Sequence, residues 1–416
     1  MKKLFLGFVF LLAAAFANAQ DLQYARSTDS ILTSPRFGGR GYVDKGEHIA
    51  AEFIAGRFKT YGLQPFTKNY YQPFSFSINT IQKVNGLSID GKKLNPGTDY
   101  LIAANARTTK GTFDLVYLPD SLYDDENAVK KFFSQDLSNK FILTEYRFKE
   151  LKRLDNLPAK GIVYLNRKNM FWLVSNARRP HNFVIIDVMD STVSRQSKTI
   201  TLDFKSKFYK DYKTQNVAGF VKGKKYPDSF LVITAHYDHL GKMGHDVYFP
   251  GANDNASGTT MLLDLARYFS RPENQPDFSI AFITFSGEEV GLMGSQYYAS
   301  HPLFPLSQIR FLVNLDMVGT GSKGITVVNA TVFKDEFERM QKINDNQHLL
   351  KRIKKRGEAC NSDHCPFYQK GVPSFFIYTF GDEYNEYHSV FDRYPDIPFT
   401  EYTDLFTLMT QFLKSF

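Results

Sequence analysis

Residues 231–258, LVITAHYDHLGKMGHDVYFPGANDNASG, decide how the rest of the chain is read. Leu231, Val232 and Ile233 form an apolar run of strand type that stops abruptly at His236-Tyr237-Asp238. After a Gly- and aromatic-rich connection, Asp254 precedes a segment, Thr259 to Phe269, in which Leu262, Leu265, Ala266 and Phe269 recur at helical spacing. A buried strand therefore delivers an imidazole and a carboxylate at its C-terminal tip, and a second carboxylate stands at the mouth of the next helix. In open α/β sheets this tip is where ligands bind. Glu288-Glu289 and Asp316 each follow another apolar run, Ser279 to Phe285 and Ile309 to Leu315. Together these positions read as a metal site.

Working outward, short apolar strands and helical patterns alternate from Asn216 to the end. Strands are expected at 216–221, 230–235, 279–285, 309–315, 325–329 and 374–378, and helices at 259–269, 291–300, 333–344 and 402–416. That alternation implies a three-layer α/β/α fold around a mixed, mostly parallel sheet. Residues 20–73 read as the helical N-terminal part of the same unit, with Glu47 to Phe58 amphipathic and Gly62 as its stop. The Gly-rich Arg36 to Gly41 lacks a preceding strand and a phosphate-binding lysine, so it reads as a turn. Between 74 and 208 the texture is β-rich. A hairpin turns at Asp90-Gly91, strands are expected at 113–118, 140–146, 161–165 and 182–188, and a helix at 148–157. This stretch carries no His/Asp/Glu constellation and reads as an inserted β-rich domain that shapes access to the site, with Trp172 in its core. The unit resumes at 209–416.

The hydrophobic fraction of 43% is ample for a core. The net charge of +8 is spread along the chain. Its densest cluster, Lys351 to Arg356, lacks aromatic interleaving and reads as a solvated helix end, so no nucleic-acid partner is expected. Lys2-Lys3, the apolar Leu4 to Ala15 and Ala17-Asn18-Ala19 have the pattern of a signal peptide cleaved after Ala19. The apolar run is shorter than the about 20 residues of a membrane span. The expectation is an exported, secreted or periplasmic protein without stable membrane insertion. In such a compartment the only two cysteines, Cys360 and Cys365, can pair across a short loop.

The ligand types suit Zn²⁺, which takes imidazole and carboxylate donors. His236 is the first candidate, with Asp238 placed to orient its ring. Asp254 can serve as an ordinary helix cap, but Asn255 or Ser257 can fill that role instead. Of Glu288 and Glu289, one can bind metal while the other reaches a nearby water. Asp316 ends a buried strand, where an unpaired charge is costly, and His388 lies in an aromatic loop.

At these positions the chain resembles the secreted and periplasmic co-catalytic dizinc aminopeptidases, which are related to glutaminyl cyclases and the transferrin-receptor ectodomain. The similar pieces are AHYDHLG, PGANDNASGTTMLLDLA, FSGEEVGLMGS, LVNLDMVG, NSDHCPFYQKGVPSFF and EYHSVFD, with SPRFGGRGYVDKGEHIAAEFIAGRFKTYGLQPF earlier. NKFILTEY and AKGIVYLN faintly resemble a protease-associated insert. The resemblance implies two Zn²⁺ per chain bridged by Asp254, with His236 and Asp316 completing one site and Glu289 and His388 the other. It implies Glu288 as general base, Asp238 as orienter of His236, and peptide N-termini as substrates. Asp363 and His364 match a family segment without an assigned role. Two other readings fit the scaffold: a one-zinc glutaminyl cyclase and a receptor-like ectodomain without catalysis. GANDNASG and EYHSVFD have the peptidase form, and the ligand set is intact, which favours the peptidase.

Overall fold

The computed structural model describes residues 22–122, 125–145 and 157–416. The expected signal segment, and nearly all of the helix expected at 148–157, lie outside these residues. Two helices come first, α1 (Leu22–Leu32) and α2 (Gly46–Tyr61), the second closed by Gly62 at φ 77° as its composition implied. The strands follow as β1 (Tyr71–Ile89), β2 (Tyr100–Ile102), β3 (Thr109–Leu118), β4 (Lys140–Thr144), β5 (Gly161–Asn166), β6 (Val184–Met189) and β7 (Thr199–Val221). After β8 (Tyr226–His236) come α3 (Gly258–Phe269), β9 (Phe278–Phe285), α4 (Met293–Ser300), β10 (Ile309–Leu315) and β11 (Ile325–Val328). The chain ends with α5 (Lys334–Gln347), β12 (Ile353–Lys355), β13 (Ser374–Thr379) and α6 (Tyr402–Lys414).

One sheet runs through the molecule in the order β12-β11-β13-β10-β8-β9-β7-β3-β4-β5-β6-β2, with β1 antiparallel on β7. Its centre, β9-β8-β10-β13, is parallel. The register puts His236 opposite Phe285, Thr234 opposite Asn314 and Asn314 opposite Phe376, so the carboxyl ends of four strands finish together. Those ends build the site. The β-rich stretch is not hung on a linker: β1 and β7 are 19 and 23 residues long and run across positions 74 and 208. The expected strand at 216–221 is the end of β7 and pairs antiparallel with β9.

Helix α3 was expected to bury one face. It is buried along nearly its whole surface, because the sheet covers one side and α1, α2 and α6 pack on the other. Lys351 to Arg356 is not a helix end. Its centre forms β12, an edge strand parallel to β11, where exposed lysines discourage pairing with another chain. Helix α4 begins two residues later than expected, because Gly291 at φ 102° and Leu292 at φ 59° turn the chain first. Trp172 is buried as read: its ring stacks on Phe249 at 4.7 Å and its Nε1–H donates to the Ile102 carbonyl at 2.7 Å.

The Gly-rich turn holds an unexpected anchor. Arg40 is fully buried and donates to the carbonyls of Leu32, Tyr237, Pro250, Gly251 and Asp254 at 2.7–3.3 Å. It thereby ties the tip of β8 to the loop that carries Asp254. Gly251 must be glycine there: its φ is +64°, and a Cβ would fall 2.2 Å from the Asp254 carbonyl oxygen. The Arg40 charge also answers the buried Asp29 and Asp392. Arg40→Met is therefore expected to destabilise the protein by about 3–5 kcal/mol, the usual cost of stranding buried charge. A denaturation midpoint equal to that of the unaltered protein would contradict this role.

Candidate metal centre and active site

His236 is the last residue of β8, and its place is fixed from both sides. Its backbone carbonyl accepts from Thr259 Oγ1 at 2.9 Å. Its Nδ1 lies 3.1 Å from the Asp238 carbonyl oxygen. A carbonyl can only accept, so Nδ1 carries a proton and Nε2 is turned toward the acids. There Nε2 stands 3.3 Å from Asp254 Oδ1 and 3.3 Å from Asp316 Oδ1. Asp316, just beyond β10, is held through its other oxygen by the Ser362 hydroxyl at 2.8 Å. Ser362 in turn accepts from Asn314 Nδ2 at 2.8 Å, and Asn314 accepts from Thr234 on β8 at 2.7 Å. The sheet thus positions this carboxylate through a relay of side chains.

Asp254 faces two imidazoles. Its Oδ1 meets His236, while Oδ2 lies 3.0 Å from His388 Nε2. Its backbone N–H donates to Asp392 Oδ2 at 3.0 Å, with the Asn253 N–H on Oδ1 at 2.7 Å. Asn255, not Asp254, receives the first N–H of α3, that of Gly258, at 2.9 Å. Asp254 is thus free of the structural role that would otherwise explain it. His388 Nε2 also lies 3.3 Å from Glu289 Oε2.

The five residues read as ligands, His236, Asp254, Glu289, Asp316 and His388, therefore come together, and Glu288 stands beside them. Two donors at about 2.0–2.1 Å from a tetrahedral ion are about 3.3 Å apart, close to the spacings seen here. The ligand atoms of His236, Glu288 and Asp316 lie within 4.8 Å of one another, as do those of His239, Asp254 and Glu289. The donor set and its spacing fit divalent metal.

Asp238 faces His236 more loosely than expected. Only its backbone carbonyl touches the near nitrogen of His236; its carboxylate is 3.9 Å away. The carboxylate instead accepts from the Tyr42 hydroxyl at 2.8 Å and from the N–H groups of Glu288 and Glu289 at 3.1 and 3.4 Å. It shapes the turn that presents the two glutamates. Three participants went unread in the sequence. His239, fully buried, places Nδ1 2.8 Å from Glu289 Oε1, opposite His388. Its signal was its place three residues after His236. Tyr42 and Ser362 gave no local signal, because each meets its partner only through the fold. Cys360 and Cys365 are disulfide-bonded and bracket Ser362, Asp363 and His364.

Electrostatics follow from crowding. Burial opposes charge on His236, but Asp316 and Glu288 outweigh it and hold the ring protonated well above its ordinary range. Burial likewise opposes charge on His388, and Glu289 and Asp254 raise it to about 11. Burial would raise Asp254, yet hydrogen bonds with His236 and His388 draw it well below the usual range. Glu289 falls to about 2 because His388 overcomes the cost of burial. Glu288, lacking such a partner, is pushed well up by burial despite His236, with Glu289 adding to the rise. Burial also lifts Asp363 to about 7 against the pull of His236.

Residues 216–413 match Peptidase family M28. The M28 segment contains every candidate ligand. Over 309 residues the chain is 29% identical to Aminopeptidase YwaD of Bacillus subtilis, covering 69% of this chain and 63% of that protein. The solved structure of BSAP, a zinc aminopeptidase from Bacillus subtilis, superposes with a TM-score of 0.72 at 24% identity over 94% of both chains. An aminopeptidase from an Aneurinibacillus strain gives 0.66 at 22% identity, over 94% of this chain and 93% of that one. These likenesses establish the fold, and the fold expectation from the sequence holds.

Imidazolium cannot ligate a cation. Metal binding near neutral pH is therefore expected to displace about two protons, those on His236 and His388, so that affinity rises with pH. Titration calorimetry of metal-free protein, repeated in buffers of different protonation enthalpy, reads this directly. Binding without proton release would contradict the ligand assignment.

Proposed function

We propose that the protein is a zinc aminopeptidase that removes N-terminal residues from peptides. The observation that carries the reading is Asp254, whose two oxygens face His236 and His388 separately, as a bridging carboxylate must. In this reading two Zn²⁺ bind per chain, with His236 and Asp316 on one side of Asp254 and Glu289 and His388 on the other. Zinc, when bound, supplies Lewis acidity that polarises the scissile carbonyl and acidifies water.

The chain's own residues supply the rest. Glu288 is the less enclosed of the paired glutamates and stands outside the set of five ligands, which suits a group that takes a proton from water and returns it to the leaving amine. Asp238 holds the backbone on which Glu288 and Glu289 stand. Carboxylates bordering the site offer acceptors to the ammonium of a free N-terminus, which suits the amino end of a peptide. We read residues 74–208 as an insertion into the peptidase unit and the protein as exported. The N-terminal pattern and the Cys360–Cys365 bond, which suits an oxidising compartment, support export.

Glu288→Gln is expected to keep its zinc while turnover falls by about 10²–10⁴-fold; near-normal turnover would remove Glu288 as the base. Asp254→Asn is expected to lower zinc content from about two per chain, measured on the same sample. Release of ammonia from Gln-initiated peptides by a one-zinc protein, without free amino acids, would overturn the aminopeptidase reading in favour of a cyclase.

A further inference from the structure

Two cavities meet at the reacting centre, and they differ in where they lead. One, of about 280 Å³, is lined by Asp254, Asp316, Met317, Phe376 and Tyr378 and backs onto the ends of β10 and β13. The other, of about 290 Å³, is lined by Leu173, Val174, Ser175, Leu292 and Cys360. Glu288, Asn361, Tyr387 and His388 border both. Ser175 also borders a third cavity, of about 620 Å³, walled by Arg178, Arg179 and His181. The second and third cavities therefore adjoin at Ser175, whereas the first shares no lining residue with the third. A peptide held at its N-terminus with one side chain in the first cavity has the continuing space past Ser175 for its remainder.

The wall of that continuing space is fixed and is built to be partly bare. Trp172 and Val174 point into the core, and the Trp172 N–H donates to the His388 carbonyl at 3.0 Å. Between and beside them Phe171 and Leu173 stand 49% and 50% exposed. Large apolar side chains left uncovered beside a cleft mark a surface meant to be covered. Past them the chemistry changes to two guanidinium groups, which suit a carboxylate.

Resting on the aminopeptidase reading, we propose that residues 173–179 form the seat for the departing part of the substrate. Leu173 and Leu292 take the residue after the scissile bond, and Arg178 and Arg179 take the terminal carboxylate of a short peptide. The β-rich stretch thereby sets the length and leaving-side preference of the reaction, and short peptides with a free C-terminus are the favoured substrates.

The test compares a tripeptide of apolar residues with its C-terminal amide. With the zinc-loaded protein, kcat/KM is expected to favour the free carboxylate by about tenfold, and Arg178→Ala/Arg179→Ala is expected to abolish that preference. Leu173→Asp is expected to lower kcat/KM more for tripeptides with leucine after the scissile bond than for those with glycine. Equal preference in the unaltered and double-variant proteins would overturn the cationic seat. Calorimetric binding of the same two tripeptides to the Glu288→Gln protein reads the seat without turnover. A carboxylate preference in binding with no hydrolysis by the unaltered protein would refute the aminopeptidase reading and leave the seat standing. Hydrolysis with no preference in either assay would do the reverse.

Discussion

The constraint on which the structure turns is the packing of like charge. Asp238, Asp254, Glu288, Glu289, Asp316 and Asp363 converge around His236, His239 and His388, with the buried Arg40 alongside. Buried carboxylates at this density cannot all remain charged unless cations enter among them. The metal-free cluster meets that demand with protons, which is why both outer imidazoles are held charged and Glu288 and Asp363 are pushed upward. Metal and proton are alternative answers to one electrostatic problem. A sheet stiff enough to impose the problem is what makes a strong site.

That stiffness is traceable. Parallel pairing in register brings the ends of β8, β9, β10 and β13 level, so residues 236, 288–289 and 316 leave the sheet at the same height. Beyond the strand ends the backbone has no ladder to hold it, and buried polar groups take over. Arg40 gathers carbonyls from both sides of the Asp254 loop. Asp392 receives the N–H groups of that loop, Ser362 braces Asp316, and Asp238 braces the glutamates. Each brace is a side chain doing what the missing ladder would have done.

This division also explains what could be read from the sequence. Strands β8, β9, β10, β11 and β13 were legible because burial on both faces writes an unbroken apolar run, and the ligands were legible because a charge at the end of such a run has no cheap structural reason to be there. The braces were not legible. Tyr42 and Asp238, 196 positions apart, show no common pattern in the chain. Asp238 itself was legible as a partner of His236, but its closer contacts with the Tyr42 hydroxyl and the Glu288 N–H were not, because they form only through the fold. The long β1 and β7 were missed for a different cause. Their alternation is broken by bulges and charged outward positions, so only their ends were read, as the hairpin at Asp90-Gly91 and the strand at 216–221. Lys351 to Arg356 failed similarly, since an exposed edge strand and a solvated helix end share a basic composition.

The misread β1 and β7 matter for function. Had the β-rich stretch been a body on a linker, its surface could move relative to the strand ends. Instead β7 pairs with β9 near its C-terminal end and with β3 near its N-terminal end, with β1 along its other edge, and Trp172 docks against Phe249 in the segment preceding Asp254. The same segment donates a backbone hydrogen bond to His388, a residue brought in by a loop rather than a strand. Of the five candidate ligands, this one has the least support from the sheet. The β-rich stretch supplies it, and so a region that carries none of the metal-binding side chains contributes to holding one of them in place.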